Sequence, residues 1–129
     1  MDPYFCQLYV DTKQDRETLK KILTEFCKNE FDFIVDPIVY KNVDFNLSAR
    51  QNVPYNFIEC SNFRVELEMI DEIQKNISKF NEGIARIVVQ LRELGCYVVS
   101  TEIESFLIEK TGWNWTEETP EPPGRILTD

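Results

Sequence analysis

The chain has 129 residues, 43% of them hydrophobic, which is enough for one domain with its own core. Its 23 acidic and 14 basic residues give a net charge of −9 with no histidine. That balance disfavours nucleic-acid binding, because such affinity rests on Lys and Arg neutralising phosphates.

From the N-terminus, Tyr4 to Val10 is rich in aromatic and β-favouring residues and is expected to form a strand. Asp11 and Thr12 then offer capping side chains. Leu19, Ile22, Leu23 and Phe26 recur at helical spacing, so a first helix is expected from about Gln14 to Lys28. Phe31, Phe33 and Val35 alternate with Asp32 and Ile34 before Pro37 and the run Ile38-Val39-Tyr40. A proline cannot donate to a sheet ladder, so this strand is expected to be bulged, broken or at an edge. Residues 41–54 read as a loop with room for a short strand at Val43–Phe45.

Tyr55 to Cys60 reads as the next strand, with Ser61-Asn62 as a turn or bulge after it. Phe63, Val65, Leu67 and Met69 alternate strictly with Arg64, Glu66 and Glu68, the pattern of one buried and one wet sheet face. Ile77, Phe80, Ile84, Ile87, Val88, Leu91 and Leu94 carry the longest helical period, stopped by Gly95. Cys96 to Ser100 is a short buried strand. Thr101 and Glu104 have capping-box spacing for a last helix ending at Lys110, with Gly112 beyond it. The order is β-α-β-β-α-β, mainly antiparallel, with a short C-terminal helix. It is that of a ferredoxin-like α+β sandwich. Residues 1–115 are expected to form this single domain, and residues 116–129 an acidic, proline-rich extended tail packed on it or leaving it.

Chemistry is sparse. Without histidine there is no Ser-His or Cys-His nucleophile of the usual kind. Cys6, Cys27, Cys60 and Cys96 lie far apart without a CxxC pair and read as four buried small hydrophobes. The glycines are scattered singly, and Asp32, Asp36 and Asp44 lack EF-hand spacing, so neither metal nor cofactor is expected. Glu66 and Glu68 share a strand face with Cα atoms about 7 Å apart, beside Arg64. Such a row can hold an acid and a base. A charged face that keeps the sheet soluble is the preferred reading, and the chain is expected not to be an enzyme.

The last 29 residues hold seven acids (Glu102, Glu104, Glu109, Glu117, Glu118, Glu121, Asp129) against Lys110 and Arg125. Such a field steers cationic proteins and repels polyanions. Both tryptophans, Trp113 and Trp115, precede this run. Split by Asn114, they are expected to face opposite sides of an extended segment, so that one can fold back onto the last helix or the sheet while the other stays partly open to anchor a partner. A lid in which both plug the open sheet face is the reading preferred over this one. The acidic start of the chain is not a secretory signal and the longest apolar runs are far below the roughly 20 residues of a membrane helix, so a cytoplasmic, membrane-free location is expected.

Taken together, "FRVELEMI", "IARIVVQLRELGCYVVS" and the "TGWNW" ending with its acidic tail give a chain that resembles the immunity proteins of bacterial polymorphic toxin systems, including contact-dependent growth inhibition. The resemblance implies a non-catalytic protein that binds a cognate toxin, often a basic nuclease, and blocks it. The expected contact residues are Glu102, Glu104, Trp113, Trp115, Glu117, Glu118 and Glu121, with Glu66 and Glu68 as a second surface. The alternative is a regulatory or small-ligand-binding domain that dimerises through its open sheet face. Whether the chain works as a monomer or a dimer is left open at this stage.

Overall fold

A computed structural model describes residues 5–51, 56–70, 76–100, 102–116 and 118. Strand β1 (Phe5–Asp11) leads into helix α1 (Arg16–Glu30) and strand β2 (Val35–Lys41). A short 3-10 helix (Leu47–Gln51) and the single-turn helix α2 (Phe57–Cys60) precede strand β3 (Phe63–Met69). Helix α3 (Ile77–Glu93), strand β4 (Tyr97–Ser100) and helix α4 (Glu104–Thr111) complete the described elements. The protein is a mixed α+β fold with one four-stranded antiparallel sheet in the order β2-β3-β1-β4.

Alternation sets the two sheet faces. Cys6, Leu8, Val10, Val35, Val39, Val65, Leu67 and Val98 point to one face and meet Leu19, Leu23, Phe80, Ile84, Ile87, Val88 and Leu91 of α1 and α3 in the main core. Helices α1, α2 and α3 each begin on a side-chain cap. Asp15 accepts from Thr18 N (2.8 Å), Asn56 from Ile58 N (3.1 Å) and Asn76 from Lys79 N (3.2 Å). The α1 cap is therefore Asp15, and not the Asp11-Thr12 pair. At the other end of α3 the expected stop holds: Gly95 has φ of 91°, a conformation that favours glycine.

Two further expectations change. Residues 57–60 are helical instead of extended, because Asn56 caps them and Phe57 and Cys60, three apart, then share one buried face. Helix α4 begins at Glu104, three residues later than the expected cap position. Its N-cap is Ile103, without a side-chain bond, while Ser100 Oγ accepts from the backbone N–H of Glu102 (3.2 Å) and Ile103 (3.4 Å). Thr101 lies outside the described residues. No strand forms at 43–45, where the chain turns.

Strand β2 runs unbroken through Pro37, at the sheet edge, where a missing N–H costs no ladder bond. Its outward carbonyls are taken by α1. Arg16 Nε donates to Val39 O (2.8 Å), and Lys20 Nζ donates to Pro37 O. The opposite edge, β4, is covered as fully. Arg92 Nη2 donates to Val98 O (2.8 Å), and the fully buried Asn114 satisfies Ser100 twice. Ser100 N–H donates to Asn114 Oδ1 (3.2 Å), and Asn114 Nδ2 donates to Ser100 O (3.0 Å). Asn62 does the same for Thr12 beyond the end of β1, accepting from its N–H (3.1 Å) and donating to its carbonyl (2.8 Å). In each case a primary amide supplies the donor and acceptor that a neighbouring strand would.

All four cysteines are free and buried, as their spacing suggests. Burial pushes the Cys6 thiol up to about 12, with Glu102 adding to the rise and the Ser100 hydrogen bond opposing it. Burial likewise takes Cys27 to about 12, reinforced by Asp36 and opposed by Lys20. Both thiols therefore keep their protons in the folded state while unfolded chains ionise from about 9.0. The unfolded state then binds fewer protons, so stability should fall as pH rises from about 9 toward 12. Urea midpoints measured across that window test this, and a flat profile would count against it. At neutral pH a thiol-specific disulfide reagent should label the native protein slowly and the urea-unfolded protein completely.

Candidate functional site

The second face of the sheet divides into two parts. Over β4, Tyr97 and Val99 pack with Ala49, Phe57 and Cys60 into a small second core. Trp113 and Trp115 both close onto it, their rings 5.5 Å and 6.5 Å from the Phe57 ring. The expectation that they point to opposite sides is thus corrected. Residues two apart in an extended segment share a side, and the intervening Asn114 takes the other. Both indoles are half-buried. Arg92 lies over Trp113, its Cζ 5.2 Å from the ring centroid, and also donates to Thr111 Oγ1 (2.7 Å). Desolvation in this position lowers the Arg92 pKa to about 10, so the guanidinium stays charged at neutral pH.

The remainder of that face, over β2, β3 and the adjoining half of β1, is half-exposed. The strand register arranges it in rows. Tyr40, Arg64 and Tyr9 form one row, Ile38, Glu66 and Gln7 the next, and Asp36, Glu68 and Phe5 the last. Arg64 organises the first two. Its Nη1 lies 2.5 Å from Glu66 Oε2 and 3.3 Å from Gln7 Oε1, and its Cζ stands 4.4 Å from the Tyr40 ring centroid. Gln7 Nε2 in turn donates to Tyr9 Oη (3.2 Å). Gln7 lies beyond the end of the β4 ladder, and its backbone N–H donates to Glu102 Oε2 (2.7 Å).

An acidic band therefore runs from Glu102 past Gln7 to Glu66, Glu68 and Asp36, with Arg64 as the basic residue within it. No family model, curated protein or solved structure matches this chain.

Of the residues expected to contact a partner, the fold joins Glu66, Glu68 and Glu102 through Gln7. Glu104 follows in the first turn of α4, exposed, as is Glu118. Trp113 and Trp115 serve the second core. Glu117 and Glu121 lie outside the described residues. Asp36, Ile38 and Tyr40 were not among the expected residues. Their period-two spacing was visible, but only the pairing of β2 with β3 shows that they share a face with Glu66 and Glu68. No group of three or more metal-ligating side chains occurs among the described residues. A groove of about 640 Å³ beside α1 and β2 is lined by Lys20, Cys27, Asp36 and their neighbours. The thiol there is held protonated, which makes it a poor nucleophile. No described helix is long and apolar enough to cross a membrane.

Proposed function

We propose that this chain is a non-catalytic binding protein that neutralises a cationic protein partner, a cognate toxin domain of the nuclease kind, in the cytoplasm of the cell that makes it. The observation that carries this reading is the acidic band held on a sheet rather than on a tail. Asp36, Glu66, Glu68 and Glu102 are fixed by strand register and backbone hydrogen bonding, which gives a partner's basic surface a preorganised counterpart. The four free thiols suit a reducing compartment. The scaffold is read as a ferredoxin-like sandwich with a lid. Supporting this, β1-α1-β2 and β3-α3-β4 are two strand-helix-strand units whose strands interleave in the order β2-β3-β1-β4. A regulatory domain dimerising through the same face is the competing reading. Two such faces brought together would oppose like charges, which favours a basic partner instead.

The test is a binding and inhibition assay with the product of the adjacent upstream gene. A stoichiometric complex should form and suppress the toxin's activity. Its association rate should drop about tenfold or more as salt rises from roughly 50 mM to roughly 500 mM. A neighbour without a basic toxin domain, or association indifferent to salt, would overturn the proposal.

A further inference from the structure

We infer that the outer face of β2 and β3 is an arginine-recognition surface, on which a basic partner seats a guanidinium between Asp36 and Glu68 with Ile38 beside it. The inference deepens the proposed function and rests on its premise that the partner is cationic.

Three observations converge. Asp36 and Glu68 stand directly opposite each other on neighbouring strands, with side chains about 5 Å apart at their bases. Like charges in that relation repel and destabilise a sheet. Yet neither carboxylate has an ion-pair partner among the described residues. A sequence that keeps an unfavourable local pair departs from the consistency that stabilises a fold, and such departures mark functional positions.

The second observation is the molecule's own precedent two rows away. Arg64 shows how this face holds a guanidinium: stacked on Tyr40 at 4.4 Å, bonded to Glu66 at 2.5 Å and to the Gln7 amide oxygen at 3.3 Å. The row of Asp36 and Glu68 offers two carboxylates in place of one and brings no basic residue of its own. Third, the surface is open enough to be reached. Glu68 is exposed, and Asp36 and Ile38 are half-exposed. Arginine suits this geometry better than lysine, because a planar fork can bridge two carboxylates while its flat face rests on apolar or aromatic side chains. A lysine ammonium provides one strongly hydrated charge and no face.

The test uses the whole chain, isotope-labelled for amide NMR, titrated with a capped Arg-Gly-Arg peptide and with Lys-Gly-Lys and Glu-Gly-Glu. Arg-Gly-Arg should shift the amides of Asp36, Ile38, Glu66 and Glu68, Lys-Gly-Lys should bind several-fold more weakly, and Glu-Gly-Glu should not bind. The double variant D36N/E68Q should weaken Arg-Gly-Arg about tenfold while raising the urea midpoint, since it removes the repulsion. That gain in stability guards against a misfolded variant. A variant on the helical side of the sheet, E93Q at an exposed position of α3, should change neither. Shifts mapping to α4 and the tryptophans instead, equal binding of the two basic peptides, or unaltered affinity in D36N/E68Q would overturn the inference. A wild-type chain that inhibits a basic toxin, with D36N/E68Q inhibiting equally, would remove the arginine surface and leave the proposed function. A peptide site abolished by D36N/E68Q in a protein that binds no toxin would remove the function and leave the surface.

Discussion

Asn114→Ala should be among the most destabilising single substitutions in the chain, lowering folding free energy by about 2–4 kcal/mol, since orphaning each buried backbone partner costs about 1–3 kcal/mol. The side chain is 0% exposed, and its amide satisfies both the N–H and the carbonyl of Ser100. Alanine leaves those groups facing a void that partial relaxation or an entering water offsets only in part. The same amide fixes the chain between the two tryptophans, so its loss loosens their packing on Phe57 as well. Asn114→Asp separates the contributions. A carboxylate still accepts from Ser100 N–H but has no donor for the carbonyl and sets a charge against it, so this variant should do no better than alanine. Urea unfolding followed by tryptophan fluorescence reads both. A loss below about 0.5 kcal/mol for Asn114→Ala, the range of ordinary surface changes, would show that the edge amide contributes little.

The second large effect has a sign opposite to the usual rule. Glycine within a helix normally costs about 1 kcal/mol relative to alanine, so Gly83→Ala in α3 would ordinarily stabilise. Here an added Cβ would come 2.2 Å from Phe31 Cε1 and 2.6 Å from Cζ. The Phe31 ring has little room to yield, since it stacks on Phe80 at 5.8 Å and leans on Phe33 at 5.1 Å. Overpacking of this kind costs about 1–3 kcal/mol, which outweighs the helix gain or at best cancels it. Gly83→Ala should therefore lower the urea midpoint, and combining it with Phe31→Leu should cost less than the two single changes added together. If Gly83→Ala alone raised the midpoint, the close approach of α1's end to α3 would not be limiting.

How far the sequence revealed this molecule depends on which signal each segment carried. Strand β3 and helices α1 and α3 were legible because their apolar spacing was regular and long enough to separate periods of two and of 3.6, while β1 and β4 were legible from their β-favouring composition. Helix α2 was misread because four residues cannot establish a period. Phe57, Ile58 and Cys60 look β-favouring until Asn56 is recognised as a cap. Pro37 left a bulge, a break or an edge open, and the edge is what forms. The asparagines were the deeper difficulty. Asn42, Asn62 and Asn114 sit where a reader expects loops, and they are loop residues, but their amides replace backbone partners. Asn42, buried, donates to the carbonyls of Ile58 and Ser61 and thereby holds α2 against the strands. A composition-based reading sees such residues only as polar. For the candidate site, Glu66 and Glu68 were legible from alternation alone. Asp36 and Tyr40 required knowing which strand lies beside β3, and Glu102 required knowing where β4 ends.

The covered margins of the sheet limit how this protein can meet others. On one side Pro37 offers no donor and the carbonyls of Pro37 and Val39 already belong to Lys20 and Arg16. On the other, Val98 and Ser100 are committed to Arg92 and Asn114. A partner seeking to add its own strand to either side would first have to displace these internal bonds, and so would a second copy of the chain beginning a continuous intermolecular sheet. Recognition is thereby directed to side chains on the broad surface, where charge and shape can discriminate among partners, and away from backbone pairing, which accepts almost any sequence.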